Sequence, residues 1–233
     1  MKSHGFWLPV VLCGALLSAT AWSKDDGDYD FSWLDPDKKI YVLQNRRYEK
    51  AGHTLISLMG GLGLSNAYRN VRFLEPRVSW YFTEEWGLEL FYNAGFFSEN
   101  STFVALKDAT ANAIPVVREI KSQVGALAQW APWYAKINVF NKILYFDWMF
   151  SAGGAVLLTE VDTRAKSTDP SLVEKQSIKA LLFGTGHQYH VTEKFKVRLD
   201  FMGAFFKAPL YGNRGEQTWF TNYQFSVGAG YRL

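Results

Sequence analysis

The last fifteen residues of the chain alternate between two kinds of side chain: Trp219-Phe220-Thr221-Asn222-Tyr223-Gln224-Phe225-Ser226-Val227-Gly228-Ala229-Gly230-Tyr231-Arg232-Leu233. One set is mostly apolar or aromatic: Trp219, Thr221, Tyr223, Phe225, Val227, Ala229, Tyr231 and Leu233. The other set is small or polar: Asn222, Gln224, Ser226, Gly228, Gly230 and Arg232. Because successive side chains of a β-strand point to opposite faces, this period of two predicts a strand with one apolar and one polar face.

The same period recurs upstream, and from residue 54 onward we predict eight strands of about ten residues each. In five of these segments an apolar set of side chains alternates with a polar or small set. The apolar sets are, in chain order, Leu74, Val78, Trp80 and Phe82; Trp86, Leu88, Leu90 and Tyr92; Val124, Ala126, Ala128 and Trp130; Leu144, Phe146, Trp148 and Phe150; and Phe195, Val197, Leu199 and Phe201. The corresponding polar or small sets are Glu75, Arg77 and Ser79; Gly87, Glu89 and Asn93; Lys121, Gln123 and Gln129; Asp147, Ser151 and Gly153; and Lys196, Arg198 and Asp200. Residues 54–62 and 176–190 alternate weakly and are placed as strands by their spacing.

The connections between these segments alternate in length. Residues 83–85 and 191–194 predict tight turns, whereas residues 64–70, 99–119, 161–175 and 208–218 predict longer polar loops. This order is typical of a barrel whose two termini are both periplasmic and whose long loops are extracellular. Residues 131–142, which contain Pro132, are expected to form a periplasmic turn that is longer than usual.

The fold class that follows is all-β: an eight-stranded antiparallel transmembrane β-barrel with a short N-terminal periplasmic segment. Unpaired backbone groups are costly in hydrocarbon, so a spanning sheet must close on itself. A lumen of eight strands is just wide enough to be filled by side chains, so we expect a plugged interior. The charged side chains predicted to form this lumen network are Glu75, Arg77, Glu89, Lys121, Asp147, Lys196, Arg198, Asp200 and Arg232, with Lys179 beside them.

Aromatic residues are abundant, with 18 Phe, 12 Tyr and 9 Trp in 233 residues. They gather at predicted strand ends: Phe82, Trp86, Trp130, Trp133, Phe195 and Tyr231 near the periplasm, and Phe96, Phe205 and Trp219 near the exterior. Two girdles of this kind are typical of the two membrane interfaces. The alternative is a soluble, lipocalin-like binder, which also has eight strands but turns its apolar face inward. Alternation alone does not say which face is which.

The N-terminus predicts secretion. Residues 1–23 combine Lys2, an apolar stretch over residues 6–19 and small residues suited to cleavage, so we expect a signal peptide. The single cysteine, Cys13, lies inside it, and the mature chain is therefore expected to hold no disulfide and no cysteine metal site. Residues 24–52 are polar and predict a periplasmic lead-in segment, which leaves residues 53–233 for the barrel.

The chain ends on a pattern that resembles the assembly signal of outer-membrane barrels. Ser226, Gly228, Tyr231 and Leu233 fall at its polar, glycine, aromatic and terminal hydrophobic positions. Leu233 replaces the commoner terminal Phe or Trp. The resemblance implies that outer-membrane lipid and the barrel assembly machinery are partners of this chain.

Further motifs resemble a small, poorly characterised family of Gram-negative outer-membrane β-barrel domain proteins. They are Val42-Leu43-Gln44-Asn45-Arg46 before the first strand, Tyr81-Phe82-Thr83-Glu84-Glu85-Trp86-Gly87-Leu88-Glu89 across a hairpin, and Phe146-Asp147. The resemblance covers most of residues 40–233. It implies the fold and the cell outer membrane as the location, and it implies no catalytic residue.

Candidate chemistry is sparse. His187 and His190 are three residues apart, which on a strand places them on opposite faces and argues against a shared metal. His187 in a hydrolase triad would suit a lipid-modifying enzyme, but no serine motif accompanies it. With 25 basic and 22 acidic residues, the chain shows no electrostatic footprint for nucleic acid.

We therefore expect no cofactor and no enzymatic activity. The leading hypothesis is a structural or interaction protein that presents extracellular loops, with a protein partner at those loops. The loop over residues 99–119 either binds a partner or lipid or packs over the barrel mouth. A narrow channel for small solutes is the first alternative, and a lipid-modifying enzyme is the second.

Overall fold

A computed structural model describes residues 46–110, 114–139, 142–163, 173–210 and 216–233. The predicted signal peptide and the lead-in up to residue 45 lie outside the described residues. Eight strands follow in chain order: β1 (Thr54–Gly63), β2 (Arg69–Tyr81), β3 (Trp86–Glu99), β4 (Arg118–Val139), β5 (Lys142–Asp162), β6 (Val173–His190), β7 (Phe195–Pro209) and β8 (Gln217–Arg232). A short helix, α1 (Ser101–Ala109), lies between β3 and β4.

Each strand pairs antiparallel with the next, and β1 pairs with β8, so the sheet closes into a barrel. The closing seam runs from Leu55 opposite Arg232 to Gly63 opposite Gln224. Over the length where neighbouring strands are paired, closure leaves no free edge, which is the condition for a sheet that spans hydrocarbon. The prediction of an eight-stranded closed antiparallel barrel is confirmed, including the weakly alternating first and sixth strands.

The expected long turn over residues 131–142 is wrong. β4 and β5 stay paired through this region, down to Val139 opposite Lys142. The register shifts between Trp130 and Trp133, so a bulge around Pro132 absorbs the residue that has no N–H to donate. The β4–β5 hairpin therefore extends past the periplasmic end of β3, whose pairing with β4 begins at Trp86 opposite Trp130.

The lumen differs between its two halves. Towards the long loops it is packed with apolar side chains from β3 to β7: Phe91, Leu127, Ala155, Leu157, Ile178, Ala180, Leu182, Met202, Ala204, Phe206 and Ala208. Towards the tight turns the same strands turn polar and charged side chains inward. The candidate site lies in this polar half.

Helix α1 lies in the loop over residues 99–119, for which the sequence allowed either binding of a partner or lipid or packing over the barrel mouth. Asn100 caps its first turn by accepting a hydrogen bond from the N–H of Phe103 at 2.9 Å. The Phe103 ring is buried, and the Arg69 guanidinium lies 4.6 Å from its centre. Val104, one position further along, is exposed, so the helix both packs on the barrel mouth and presents a surface.

Candidate functional site: the filled lumen

The two faces of the wall have opposite chemistry. All six tryptophans in the described residues are exposed on the outside: Trp80, Trp86, Trp130, Trp133, Trp148 and Trp219. Aliphatic side chains such as Leu90 and Leu181 lie between them and are more than half exposed, at 56% and 55%. The buried, inward positions instead carry Glu75, Glu89, Arg198 and other ionisable groups. An apolar band outside and charges inside is the arrangement that lipid demands and that a lipocalin reverses.

The chain is an outer-membrane β-barrel protein. One end of the barrel carries the tight turns, the first described residues, the start of β1 and the end of β8. In barrels of this type that end is periplasmic and the long loops at the other end are extracellular. Among the described residues, no helix is long and apolar enough to cross a membrane.

A central ionic cluster fills the middle of the polar half. Arg77 donates from Nη1 to Glu89 Oε1 at 2.9 Å and to Asp200 Oδ2 at 2.6 Å, and its Nε bonds Glu75. Arg198 donates from Nη2 to Asp200 Oδ2 at 2.8 Å and also bonds Glu89. We name these five residues the central cluster: Glu75, Arg77, Glu89, Arg198 and Asp200. Three carboxylates against two guanidinium groups give it a formal charge of −1.

Neutral side chains satisfy the remaining acceptors of the central cluster. Ser79 Oγ donates to Glu89 Oε2 at 2.6 Å, and Gln129 Nε2 donates to the same oxygen at 2.7 Å. Asn93 Nδ2 donates to Glu75 Oε2 at 2.7 Å. Buried charges are tolerated only when they are paired and hydrogen-bonded in this way. The cluster therefore fixes β2, β3, β4 and β7 in one arrangement.

A second group, the periplasmic cluster, consists of Lys50, Asp147, His190 and Lys196. Asp147 Oδ1 lies 2.9 Å from Lys50 Nζ, and its Oδ2 lies 2.7 Å from His190 Nε2. Lys196 Nζ bonds the other ring nitrogen, Nδ1. An ammonium only donates, so Nδ1 accepts and Nε2 carries the proton that bonds Asp147. The imidazole is thus neutral, and the cluster has a formal charge of +1.

The two clusters together are neutral. The buried acidic and basic side chains of the described residues comprise four carboxylates, four cations and the neutral His190. One of the four cations, Lys50, comes from the lead-in segment and not from the wall. The wall alone therefore carries one excess negative charge, which the lead-in compensates.

Residues 46–52, which we name the plug segment, bring Lys50 into the lumen. The Glu84 carboxylate, in the turn between β2 and β3, accepts the backbone N–H groups of Lys50 at 3.0 Å and Ala51 at 2.9 Å. Tyr48 stacks on the His190 ring with centres 5.1 Å apart. Gly52, at φ 76°, turns the chain into β1 in a conformation that disfavours a side chain. Burial lowers the pKa of the Lys50 ammonium, while the neighbouring Asp147 opposes that shift.

Not every predicted lumen residue lies in these clusters. Lys121 is on the outer face, within 2.6 Å of Glu119, because a bulge between Ile120 and Ser122 reverses the alternation of β4. Lys179 is also on the outer face, since the inward positions of β6 are Ile178 and Ala180. The prediction that Lys121 and Lys179 point into the lumen is therefore wrong. Arg232 points to the periplasmic mouth, where its Nη1 donates to the Glu49 carbonyl at 2.7 Å.

The sequence did not reveal His190, Lys50 or Glu84 as partners. The period of two predicted that His187 and His190 lie on opposite faces of their strand, but nothing in the sequence pairs His190 with Asp147. His187 itself lies on the outer face against Trp148, with ring centres 5.3 Å apart, and has no place in the lumen. In the part of the chain that the structure describes, no group of three or more His, Cys, Asp or Glu residues is arranged to hold a metal ion.

The residues of the predicted assembly signal occupy distinct places along β8. Ser226 is buried in the lumen, and Tyr231 is exposed to the outside. A Cβ on Gly228 would lie 2.7 Å from the Met59 Cα, so a larger residue there would push on the closing seam. Leu233 is exposed, and its backbone N–H donates to the Thr54 carbonyl at 2.9 Å.

Neither a scan of protein-family models nor a search of curated proteins gave a match. Among solved structures, the N-terminal β-barrel domain of OprF from Pseudomonas aeruginosa is similar, with 14% identity, coverage of 78% of this chain and 98% of that one, and a TM-score of 0.48. Ail, the attachment invasion locus protein of Yersinia pestis, shows 15% identity, 78% and 99% coverage and a TM-score of 0.42. Neisserial surface protein A shows 14% identity, coverage of 78% of this chain and 97% of that one, and a TM-score of 0.44. The fold and the membrane location follow from this chain's own geometry.

Proposed function

We propose that this protein is a non-conducting anchor in the outer membrane, of structural or interaction type, that presents its extracellular loops to a partner. The observation that carries the proposal is the filling of the lumen at three successive levels. The plug segment and the periplasmic cluster occupy the periplasmic mouth, the central cluster occupies the middle, and apolar side chains such as Leu127, Leu157 and Met202 occupy the extracellular half.

The free space supports a closed lumen. A cavity of about 30 Å³ lies in the extracellular part, between Asn93, Arg118 and Gln224. A single water needs about 10 to 15 Å³ of such volume, so this cavity suits a water or two and no solute. An ion that entered from the periplasm would also have to displace Lys50 from Asp147.

The charge balance supports permanent closure over gating. Removal of Lys50 from the lumen would leave the buried groups with one uncompensated negative charge, which is costly away from water. The Glu84 carboxylate also holds the plug segment, because it accepts hydrogen bonds from the backbone N–H groups of Lys50 and Ala51. Closing contacts on both sides of Lys50 favour a plug that stays in place.

Presentation of the loops follows from the rigid wall. Helix α1 is anchored by Phe103 and exposes Val104, and Val116 before β4 is also exposed. Apolar side chains exposed on ordered loops above the membrane suit contact with another protein. The proposal includes no catalytic step, because the buried histidine is enclosed by the plug segment and His187 faces outward.

Planar-bilayer recording tests the proposal. We expect the purified protein to give no unitary current steps at voltages where the bilayer itself is stable. A variant with Arg77→Ser, Glu89→Ser and Arg198→Ser removes three of the five side chains of the central cluster; with its folding checked by heat-modifiability on a gel, we expect it to remain silent as well, because the apolar half still closes the lumen. Discrete steps from the wild-type protein, lost when Lys50→Trp enlarges the plug, would instead establish the narrow channel.

A further inference from the structure

Two lysines project outward from the extracellular end of the barrel, and no carboxylate of the described residues pairs with either. Lys179 on β6 and Lys207 on β7 are both exposed. Within the described ranges, neither forms an ion pair, whereas nearby Lys175 lies 3.2 Å from Glu160. These two cations are therefore uncompensated on a wall whose interior charges are all balanced.

An open cleft separates the strands that carry them. Pairing of β6 with β7 ends at Ala180 opposite Phe206, so the strands diverge above that point. The resulting cleft, of about 600 Å³, is lined by both lysines and by the polar side chains of Gln176, Ser177 and Gln217. Two ammonium groups and several hydroxyl or amide groups around one opening form an anion-binding environment.

The cleft lies at the level of the outer-leaflet headgroups. From Phe195, in the periplasmic aromatic girdle, to Lys207 there are twelve residues along β7. At about 3.3 Å per residue and a tilt of about 40°, they span roughly 30 Å along the barrel axis. The apolar band of such barrels is about 25 Å tall, so Lys207 lies just beyond it.

The surface below the cleft is apolar and the surface beside it is aromatic. Leu181 and Phe183 follow Lys179 on the same outer face of β6, and both are 55% exposed. Trp219 pairs with Lys207 across β7 and β8, and the Lys207 Nζ lies 5.0 Å from the centre of its ring. A tryptophan at this depth is typical of the interface between acyl chains and headgroups.

We propose that Lys179 and Lys207 bind a phosphate group of the outer-leaflet lipid, a phosphorylated and multiply acylated glycolipid. The ammonium groups supply the charge that a phosphomonoester requires, and the apolar wall beneath them receives its acyl chains. A free phosphate would use only the first of these features, which is why the structure favours the lipid. Lys121 and Lys175 line the adjoining cleft but are already paired with Glu119 and Glu160, so they contribute less.

Native mass spectrometry of the full mature chain in detergent tests this proposal with four probes: bisphosphorylated lipid A, the same lipid with its phosphates removed, phosphatidylglycerol and inorganic phosphate. The variant is Lys179→Ala with Lys207→Ala. Lys136→Ala with Lys142→Ala is the matched control, because it removes two exposed lysines at the opposite, periplasmic end. Heat-modifiability on a gel shows that each variant is folded.

We expect lipid A to bind the wild-type protein, the cleft variant to bind it about thirty-fold more weakly, and the control to match the wild type. Lys179→Arg with Lys207→Arg should retain binding, because the charge is kept. Equal binding by the cleft variant would overturn the proposal, as would equal binding of the dephosphorylated lipid. Inorganic phosphate bound as tightly as lipid A would show a free-anion site instead, and phosphatidylglycerol bound as tightly would show a non-selective anionic surface; either result rejects a glycolipid site.

Discussion

Asp147→Ala probes the electrostatic balance of the lumen. Asp147 is fully buried and is the only carboxylate of the periplasmic cluster, where it contacts both Lys50 and His190. Its removal leaves three carboxylates against four cations in the buried set. Breaking one buried ion pair costs about 3 to 5 kcal/mol. Lys50 belongs to a segment that reaches water at the periplasmic mouth and can withdraw, so we expect a loss of about 3 kcal/mol.

Lys50→Met in the same chain turns this estimate into a test of sign. The double variant restores neutrality, with three carboxylates and three cations, and Met keeps the length of the aliphatic stem. We therefore expect it to be more stable than Asp147→Ala alone, by about 1 to 2 kcal/mol. Purely structural side chains would give additive losses and a double variant less stable than either single variant.

Denaturant titration in lipid vesicles, followed by tryptophan emission, measures these free energies of unfolding. Glu85→Ala is the control, because it removes an exposed carboxylate from the turn between β2 and β3 at the same end of the barrel. It should change stability by less than about 0.5 kcal/mol. The charge-balance reasoning is refuted if Asp147→Ala behaves like this control, or if Lys50→Met fails to rescue it.

Two further perturbations address the plug segment and the inner wall. Glu84→Ala removes the acceptor of two backbone N–H groups of the plug segment, and each of these hydrogen bonds is worth about 1.5 kcal/mol or more. Trypsin should therefore cut after Arg46 or Arg47 at least tenfold faster, while Glu85→Ala, at the neighbouring exposed position, leaves the rate of cleavage unchanged. Equal rates of cleavage for the two variants would show that Glu84 does not hold the plug segment. Gly186→Ala places a Cβ against the Asp200 carboxylate and 2.7 Å from the Leu199 carbonyl, and it should destabilise the barrel by about 2 kcal/mol in the same titration. Gly154→Ala, where the nearest atom is 3.7 Å away, is its control, and similar losses for the two would remove the steric argument.

The direction of each strand face was predictable because it depends on local periodicity. Trp80, Leu90 and Phe225 alternate with polar neighbours, and all three are exposed on the outer wall. Periodicity fails where the backbone is irregular. Lys121 follows the alternation of β4 in the sequence, yet one extra residue at the bulge moves it to the other face. Pro132 suggested a break in the strand, but the hairpin accommodates it in a second bulge.

The partners within the lumen were not predictable, because they depend on the register between distant strands. Arg77 and Asp200 are 123 residues apart and meet only when the barrel closes. The same holds for Lys50, which the sequence places in a polar periplasmic lead-in. Nothing local distinguishes a lysine that enters the lumen from one that stays in water. The division of the predicted single network into a central and a periplasmic cluster is likewise a property of three-dimensional packing.

The contrast between inner and outer charges bears on the lipid proposal. Every fully buried ionisable group of the described residues has an opposite charge or a hydrogen-bonding partner, so packing alone accounts for it. Lys179 and Lys207 have no such account, because neither contacts a carboxylate of the described residues and both lie on the outer face. Lys207 lies at the edge of the apolar band, where its Nζ is 5.0 Å from the centre of the Trp219 ring and the contact displaces part of its hydration shell. Both lysines line the same cleft, so a phosphate bound there would be attracted by two positive charges at once.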